Sequence, residues 1–345
     1  MGYQKRREYY QAHEKKRQKP LIAYVTTIRP NMPSQMSVDA ITPIIEQMNR
    51  VPKDRDEIDF LIISNGGDPI AALRIITMLR ERFRKISVIV PYVAFSAATI
   101  LALGADEIVM HPYSNLGPID PQMSILKPDE KGHSAPMQFS SEDIRNYIEF
   151  VRSDVGITDE AQLTSAFNAL SAEVGPIRIG SAKRNQQLSM ALSKRMLETH
   201  MDDKDKAEDI AKVLNTSYYH HGYAVGRKEA KEIGLNIVYP DKELENIIWS
   251  IWLDFSNEMK CDQPFDPVSE IMGDEAARQT LSMIPPHGAQ FMPQPIELVR
   301  PLAAIESVQR AFVFNNLLNI VYWRDPNMAL AYNMTIYSKG WEAKL

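Results

Sequence analysis

Ile86-Ser87-Val88-Ile89-Val90-Pro91-Tyr92-Val93-Ala94-Phe95-Ser96-Ala97-Ala98-Thr99-Ile100-Leu101-Ala102-Leu103 decides the fold. Ile86 to Val90 reads as a buried strand, and Ser96 to Leu103 reads as a helix of small and apolar residues. Ser96 is a lone hydroxyl at the strand-to-helix turn, where a side chain projects and backbone N–H groups are unspent. Upstream, Leu61-Ile62-Ile63-Ser64-Asn65-Gly66-Gly67-Asp68 is a second strand ending in a glycine pair. Glycines there let the backbone aim its N–H groups at a ligand. Each motif follows a strand and opens a helix. In a parallel sheet both turns emerge at the carboxyl edge, where ligands bind.

Working outward, Pro20 to Thr27, Asp59 to Ser64 and Glu107 to Met110 read as further strands. Ser37 to Arg50 predicts a helix with Ile41, Ile44, Ile45 and Met48 on one face. Ile70 to Phe83 predicts another, with Ile70, Leu73, Ile76 and Leu79 toward the sheet. This alternation marks right-handed βαβ units and a mostly parallel sheet. Pro112 to Pro121 is a stiff loop, and the polar stretch from Lys127 to Ser140 reads as a flap. Helices are expected over 141–155, 159–170, 177–201, 205–215 and 227–233, before a last strand at Leu235 to Val238. Trp249, Trp252 and Phe255 recur at helical spacing. The stretch 264–295 holds six prolines and reads as a linker or irregular wrap. Two strands, 310–323 and 328–337, follow around a turn. The organisation is a basic arm (1–19), a main α/β domain (20–245), and a Pro-rich linker with a C-terminal extension (246–345).

The 345 residues carry a net charge of −5, so no global charge draws the chain to nucleic acid. Lys5-Arg6-Arg7 and Lys15-Lys16-Arg17 are local clusters, expected on a solvated arm that frays or packs on a neighbour. No run is apolar enough for a membrane span, and no signal core stands at the N-terminus. The expectation is cytoplasmic. The single cysteine, Cys261, makes an internal disulfide impossible and a thiolate metal site unexpected. No metal and no cofactor is implied, and no Gly-x-Gly-x-x-Gly fingerprint is present.

Ser64-Asn65-Gly66-Gly67-Asp68, Ala94-Phe95-Ser96-Ala97-Ala98-Thr99, Ala105-Asp106-Glu107-Ile108-Val109-Met110 and Leu116-Gly117-Pro118-Ile119-Asp120-Pro121-Gln122 together resemble the serine dehydrogenase proteinase family. That family looks like a branch of the superfold shared by Clp peptidases, signal peptide peptidase A and crotonases. Gly226 to Leu235 is similar to the closing helix-strand element of that superfold. The resemblance covers about residues 20–240. It implies a Clp/crotonase-like α/β fold and a serine peptidase that needs no ATP of its own. Ser96 would be the nucleophile, with the Gly67 and Ala97 N–H groups as oxyanion hole.

The base is open. The loop that brings the Clp histidine falls near Gly117 and Pro118, which cannot act as bases. His221, just before the closing helix, is the first candidate, although Gly222 stands where a carboxylate would be expected. Lys183 on the long helix and His111 at the start of the Pro-rich loop are the alternatives. Asp120 either holds its loop or meets a neighbouring subunit. Ala98, at a position often glycine in the peptidases, would narrow the cleft. The resemblance implies a homo-oligomer acting on a peptide or protein, with residues 246–345 available to a partner. Two other readings fit the same residues: an inactive scaffold or assembly subunit, and a crotonase-type acyl-CoA enzyme.

Overall fold

The computed structural model describes residues 2–128, 134–218, 220, 222–283, 295–324 and 329–344. In chain order the first half comprises α1 (Tyr3–Arg17), β1 (Leu21–Thr26), α2 (Ile41–Met48), β2 (Glu57–Ile63), α3 (Pro69–Arg82), β3 (Lys85–Val90), β4 (Val93–Ala94), α4 (Ala97–Leu103), β5 (Glu107–Met110) and β6 (Asn115–Leu116). A hairpin, β7 (Met123–Pro128) and β8 (Ser134–Phe139), leads to α5 (Ser141–Glu149), α6 (Glu160–Val174), α7 (Pro176–Leu197) and α8 (Lys204–Thr216). Then come β9 (Val225–Gly226), α9 (Arg227–Ile233), β10 (Ile237–Val238) and α10 (Lys242–Met259). Last are α11 (Pro267–Gly273), α12 (Glu275–Met283), β11 (Ile296–Glu306), β12 (Ala311–Arg324) and β13 (Leu330–Lys344).

One eight-stranded sheet runs β10-β5-β3-β2-β1-β11-β12-β13. The first five of these strands are parallel; β11, β12 and β13 add on antiparallel. The α/β class with a mostly parallel βαβ core is therefore as the sequence predicts. Every residue of β1 is buried, because helices cover both faces. Ile22 and Tyr24 join Ile58, Phe60 and Ile62 of β2 under α2, α3 and α4. The alternate residues Leu21, Ala23 and Val25 join Leu61 and Ile63 under α1 and α10. Within α3 the buried stripe is Ala71, Ala72, Ile75, Ile76 and Leu79, whereas Ile70 is exposed beside the helix start. Ile45 of α2 likewise faces solvent.

Three regions depart from the sequence expectation. The basic arm is helix α1, built into the core: Arg6, Tyr10 and His13 are all buried. The charge of its buried Arg6 is paired internally. Arg6 Nη2 and Nε reach Glu306 of β11 at 2.7 and 2.9 Å, and Nη1 reaches Asp254 of α10 at 2.7 Å. Tyr10 O–H donates to the same Glu306 at 2.7 Å, and the Arg6 guanidinium lies 4.0 Å over the Phe255 ring. Second, the polar flap contains the β7–β8 hairpin, paired from Met123↔Phe139 to Pro128↔Ser134. Third, the Pro-rich stretch carries α11 and α12, which cover β12 through Ile271, Ala277 and Leu281 packed on Ile320 and Tyr322. Residues 246–345 are thus no appendage, since β11 pairs directly with β1.

Removing one partner of a buried ion pair strands the other in low dielectric, which costs about 3–5 kcal/mol. Arg6→Ala leaves Glu306 and Asp254 without their cation, so its urea-unfolding free energy is expected to fall by about that amount. An unchanged midpoint would show that the network is not structural.

Candidate active site

The two turns meet. Ser64 and Ala94 form a parallel bridge, with Ser64 N–H donating to Val93 O at 3.1 Å and Phe95 N–H to Ser64 O at 2.9 Å. Buried Ser64 pins the first turn: its Oγ accepts from Gly66 N–H at 3.0 Å and from Thr26 Oγ1 at 2.8 Å. Gly66 has φ +105°, and a Cβ there would stand 2.8 Å from Ser96 Cβ and 3.1 Å from Ala97 N. Only a bare α-carbon lets the glycine turn lie against the serine turn. Gly67, at φ +143°, is pressed as closely on Met36, where a Cβ would come within 2.4 Å of the carbonyl oxygen.

That second contact orients Gly67. The strip containing Met36 bonds through its N–H to Gly66 O at 2.8 Å and through its carbonyl to Asp68 N–H at 2.9 Å. The Gly67 N–H, between them, points the opposite way. Asp68 caps α3, accepting from Ile70 N–H at 2.8 Å, with Pro69 opening the helix. Ser96 sits at the N-cap of α4 with φ 52° and ψ −116°, a region that costs a non-glycine residue on the order of 1–3 kcal/mol. Such a bend thrusts the side chain out of the chain path. Ser96 is half-buried, and its hydroxyl makes no hydrogen bond to another described residue. Neither the Gly67 nor the Ala97 N–H donates to any described acceptor.

The floor behind the serine is fixed. All seven residues of α4 are buried. Thr99 Oγ1 lies 2.7 Å from Ala94 O and 2.9 Å from Gly117 O, and accepts from Gly117 N–H at 3.1 Å. Gly117 lies flat against the Phe95 ring, which a Cβ would enter at 2.7 Å. Ala98 is wholly buried, so its methyl packs in the core and does not narrow the cleft.

The candidate bases separate. His111 is withdrawn into an aromatic cluster, stacked on Trp249 at 4.8 Å and 12°, with Nδ1 accepting from Tyr113 N–H at 3.2 Å. Burial pushes its pKa down, against a smaller upward pull from Glu245. No contact links it to Ser96. Lys183 is exposed on α7, lining a cleft with Ile144, Ile148 and Ile179 on the helical side of the molecule. His221 lies outside the described residues. Its described neighbours can be placed. Leu116 pairs with Ala94 in parallel and with Val225 antiparallel, in a small sheet ordered β4-β6-β9. Tyr223 and Gly222 therefore leave β9 over the same edge as Ser96, two strands away, or about 10 Å sideways.

A group that sequence reading undervalued stands on that edge. Asp120 follows Gly117-Pro118-Ile119 out of β6 and lines a cleft of about 400 Å³ with Gln138, Ser140, Tyr218, His220 and Gly222. Its Oδ1 is buried without a hydrogen bond, while Oδ2 accepts from Gln122 at 2.7 Å. Burial, against a downward pull from the Ser140 side chain and with the charges of Asp143 and Glu142 adding to it, pushes its pKa up to about 6. The available signal was the stiff Leu-Gly-Pro-Ile-Asp-Pro run, which fixes where this carboxyl goes.

Two backbone N–H groups without a described acceptor and a serine of positive φ stand at the turns of one parallel sheet edge. Residues 25–134, which hold both turns and Asp120, match the ClpP-like SDH-type serine proteinase family. Two proteins of Methanocaldococcus jannaschii are similar over 202 residues: uncharacterized protein MJ0137 at 28% identity and uncharacterized protein MJ1495 at 25%. The match spans 59% of this chain and 60% and 59% of those relatives. Among solved structures, the 1510-N membrane-bound stomatin-specific protease, as a serine-to-alanine mutant, aligns at 18% identity and TM-score 0.37 over 71% of this chain and 89% of its own.

Gly67→Ala places a methyl where Met36 backbone already lies, at a φ that an L side chain rarely adopts. The variant is expected to lose several degrees of Tm, and Ser96 its reactivity, because the turn must shift. Wild-type Tm and wild-type labelling of Ser96 together would show that the turn is not held by this contact.

Proposed function

We propose that this chain is a serine peptidase whose nucleophile is Ser96. One observation carries the reading: a strained, unbonded serine hydroxyl beside two backbone N–H groups that no described acceptor uses. In the proposed reaction Ser96 Oγ adds to the peptide carbonyl, and the oxygen takes negative charge between the Gly67 and Ala97 N–H groups. Collapse expels the amine, which takes the proton removed from Ser96, and leaves an acyl-enzyme. Water then adds to the ester, and release of the acid restores the serine. None of these steps calls on ATP, a metal or an organic cofactor.

His221 remains the proposed base, supported by the path of Gly222 and Tyr223 across the Ser96 edge. Asp120 is assigned to the same machinery as a positioning carboxylate, because it shares its cleft with His220 and Gly222. Peptide or protein substrates, a homo-oligomer and a cytoplasmic setting belong to this reading. Among the described residues no helix is long and apolar enough to cross a membrane.

A fluorophosphonate probe tests the nucleophile directly. Labelling is expected in the wild type and absent in Ser96→Ala, with peptidase activity falling at least 10³-fold. A protein that folds but never labels would be the inactive scaffold. Acyl-CoA turnover that survives Ser96→Ala would make it a crotonase-type enzyme.

Asp120 makes a separate prediction. Its carboxyl ionises near pH 6, so kcat/KM is expected to rise through that pH. Asp120→Asn should remove this limb and lower the plateau by about 10²-fold. The folded pKa exceeds the unfolded value of 3.8, so the folded state binds the extra proton between these values and Asp120 destabilises the protein above pH 6. The Asn variant should therefore melt higher than wild type at pH 8 and equal to it below pH 3.8. An unchanged pH–rate profile would remove Asp120 from the mechanism.

A further inference from the structure

β13 ends the eight-stranded sheet and, among the described residues, pairs on one side only, with β12. Its 15 residues give an open edge about 50 Å long at ~3.4 Å per residue. Folded proteins usually blunt such edges with charges, prolines or short strands. Here Leu330 to Ser338 contains no charged residue and no proline. Every residue from Thr335 to Lys339 is exposed, so both faces of this stretch are open to solvent.

The uncovered face has a pattern. Val299 stands opposite Leu317, and Leu317 opposite Tyr337, which makes an apolar row across β11, β12 and β13. The row ends at the open edge, with Tyr337 52% exposed. Tyr337 is also the midpoint of β13. On the reverse face, Leu330 and Met334 are already packed against the cluster of Ile271 and Leu281.

We infer that β13 pairs with β13 of a second copy of this chain, antiparallel about a twofold axis at Tyr337. An antiparallel edge can satisfy itself, since each strand supplies the other's missing donors and acceptors. With the axis at Tyr337, the apolar row continues unbroken through its symmetry mate, from Val299 of one copy to Val299 of the other. The charges agree with that register. Lys339, Glu342 and Lys344 all lie on one side of the midpoint, at or beyond the bulge between Ser338 and Gly340, and the half of the strand that would face them, Leu330 to Thr335, carries no charge, so no like charges face each other. The seam lies on the C-terminal strands, beyond the Clp-like core, and does not depend on Ser96 being active.

The test uses the full chain with Cys261→Ser, which leaves no native thiol. Sedimentation velocity at micromolar concentration should show a dimer. Tyr337→Cys should cross-link to itself under mild oxidation, because axial residues of the two strands are about 5 Å apart. Tyr332→Cys should not, because its copies are separated by about 34 Å along the strands. Tyr337→Lys, which places two cations on the axis, should raise the dimer Kd at least tenfold with an unchanged circular dichroism spectrum. A monomer at these concentrations would overturn the seam. So would a dimer that resists Tyr337→Lys and leaves Tyr337→Cys reduced.

Discussion

A single guanidinium ties the two ends of the chain to the middle of the sheet. Arg6 bonds Glu306 with two nitrogens and Asp254 with a third, and so joins α1, β11 and α10. Burying so much charge is tolerable because Arg6 faces two carboxylates and Tyr10 donates a further hydrogen bond to Glu306. The energetic return of the cluster is small by itself. Its effect is registry: α1 and α10 can cover the second face of the parallel sheet only in one placement. That face carries Val25 and Ile63, the last residues before the loops that shape the serine site.

From there rigidity passes to the chemistry through backbone contacts. Met36 holds Gly67, Ser64 holds Gly66, and Thr99 clamps Gly117 to α4. The strain at Ser96 persists because the helix behind it is buried and cannot relax. In the proposed mechanism, preorganisation of this sort would exact its cost during folding and leave little rearrangement for the moment of reaction.

Much of this was legible in the chain. The strands read over 59–64, 86–90 and 107–110 are mostly apolar, and the two turns carry glycine and serine where backbone geometry demands them. The burial of α1 was not legible, because Arg6 is indistinguishable in sequence from the solvated Arg7 beside it; only Glu306, 300 residues away, tells them apart. The strand pairing of β11 with β1 was hidden for a related reason. An added antiparallel strand has no crossover helix to announce it, and prolines mask its approach. His111 looked available because its stacking partner, Trp249, is remote in sequence. Asp120 was quoted within its motif, but its environment comes from Ser140, Asp143 and Glu142, which no spacing reveals.

The pairing of β1 with β11 also bears on how the molecule is made. On a ribosome, β1 emerges early, whereas the strand that flanks it appears only after some 280 further residues. Until then one side of the central strand has no neighbour. Contacts so distant in sequence are slow to form and leave sticky surface exposed in the meantime. The sheet therefore stays incomplete beside β1 until β11 has been made.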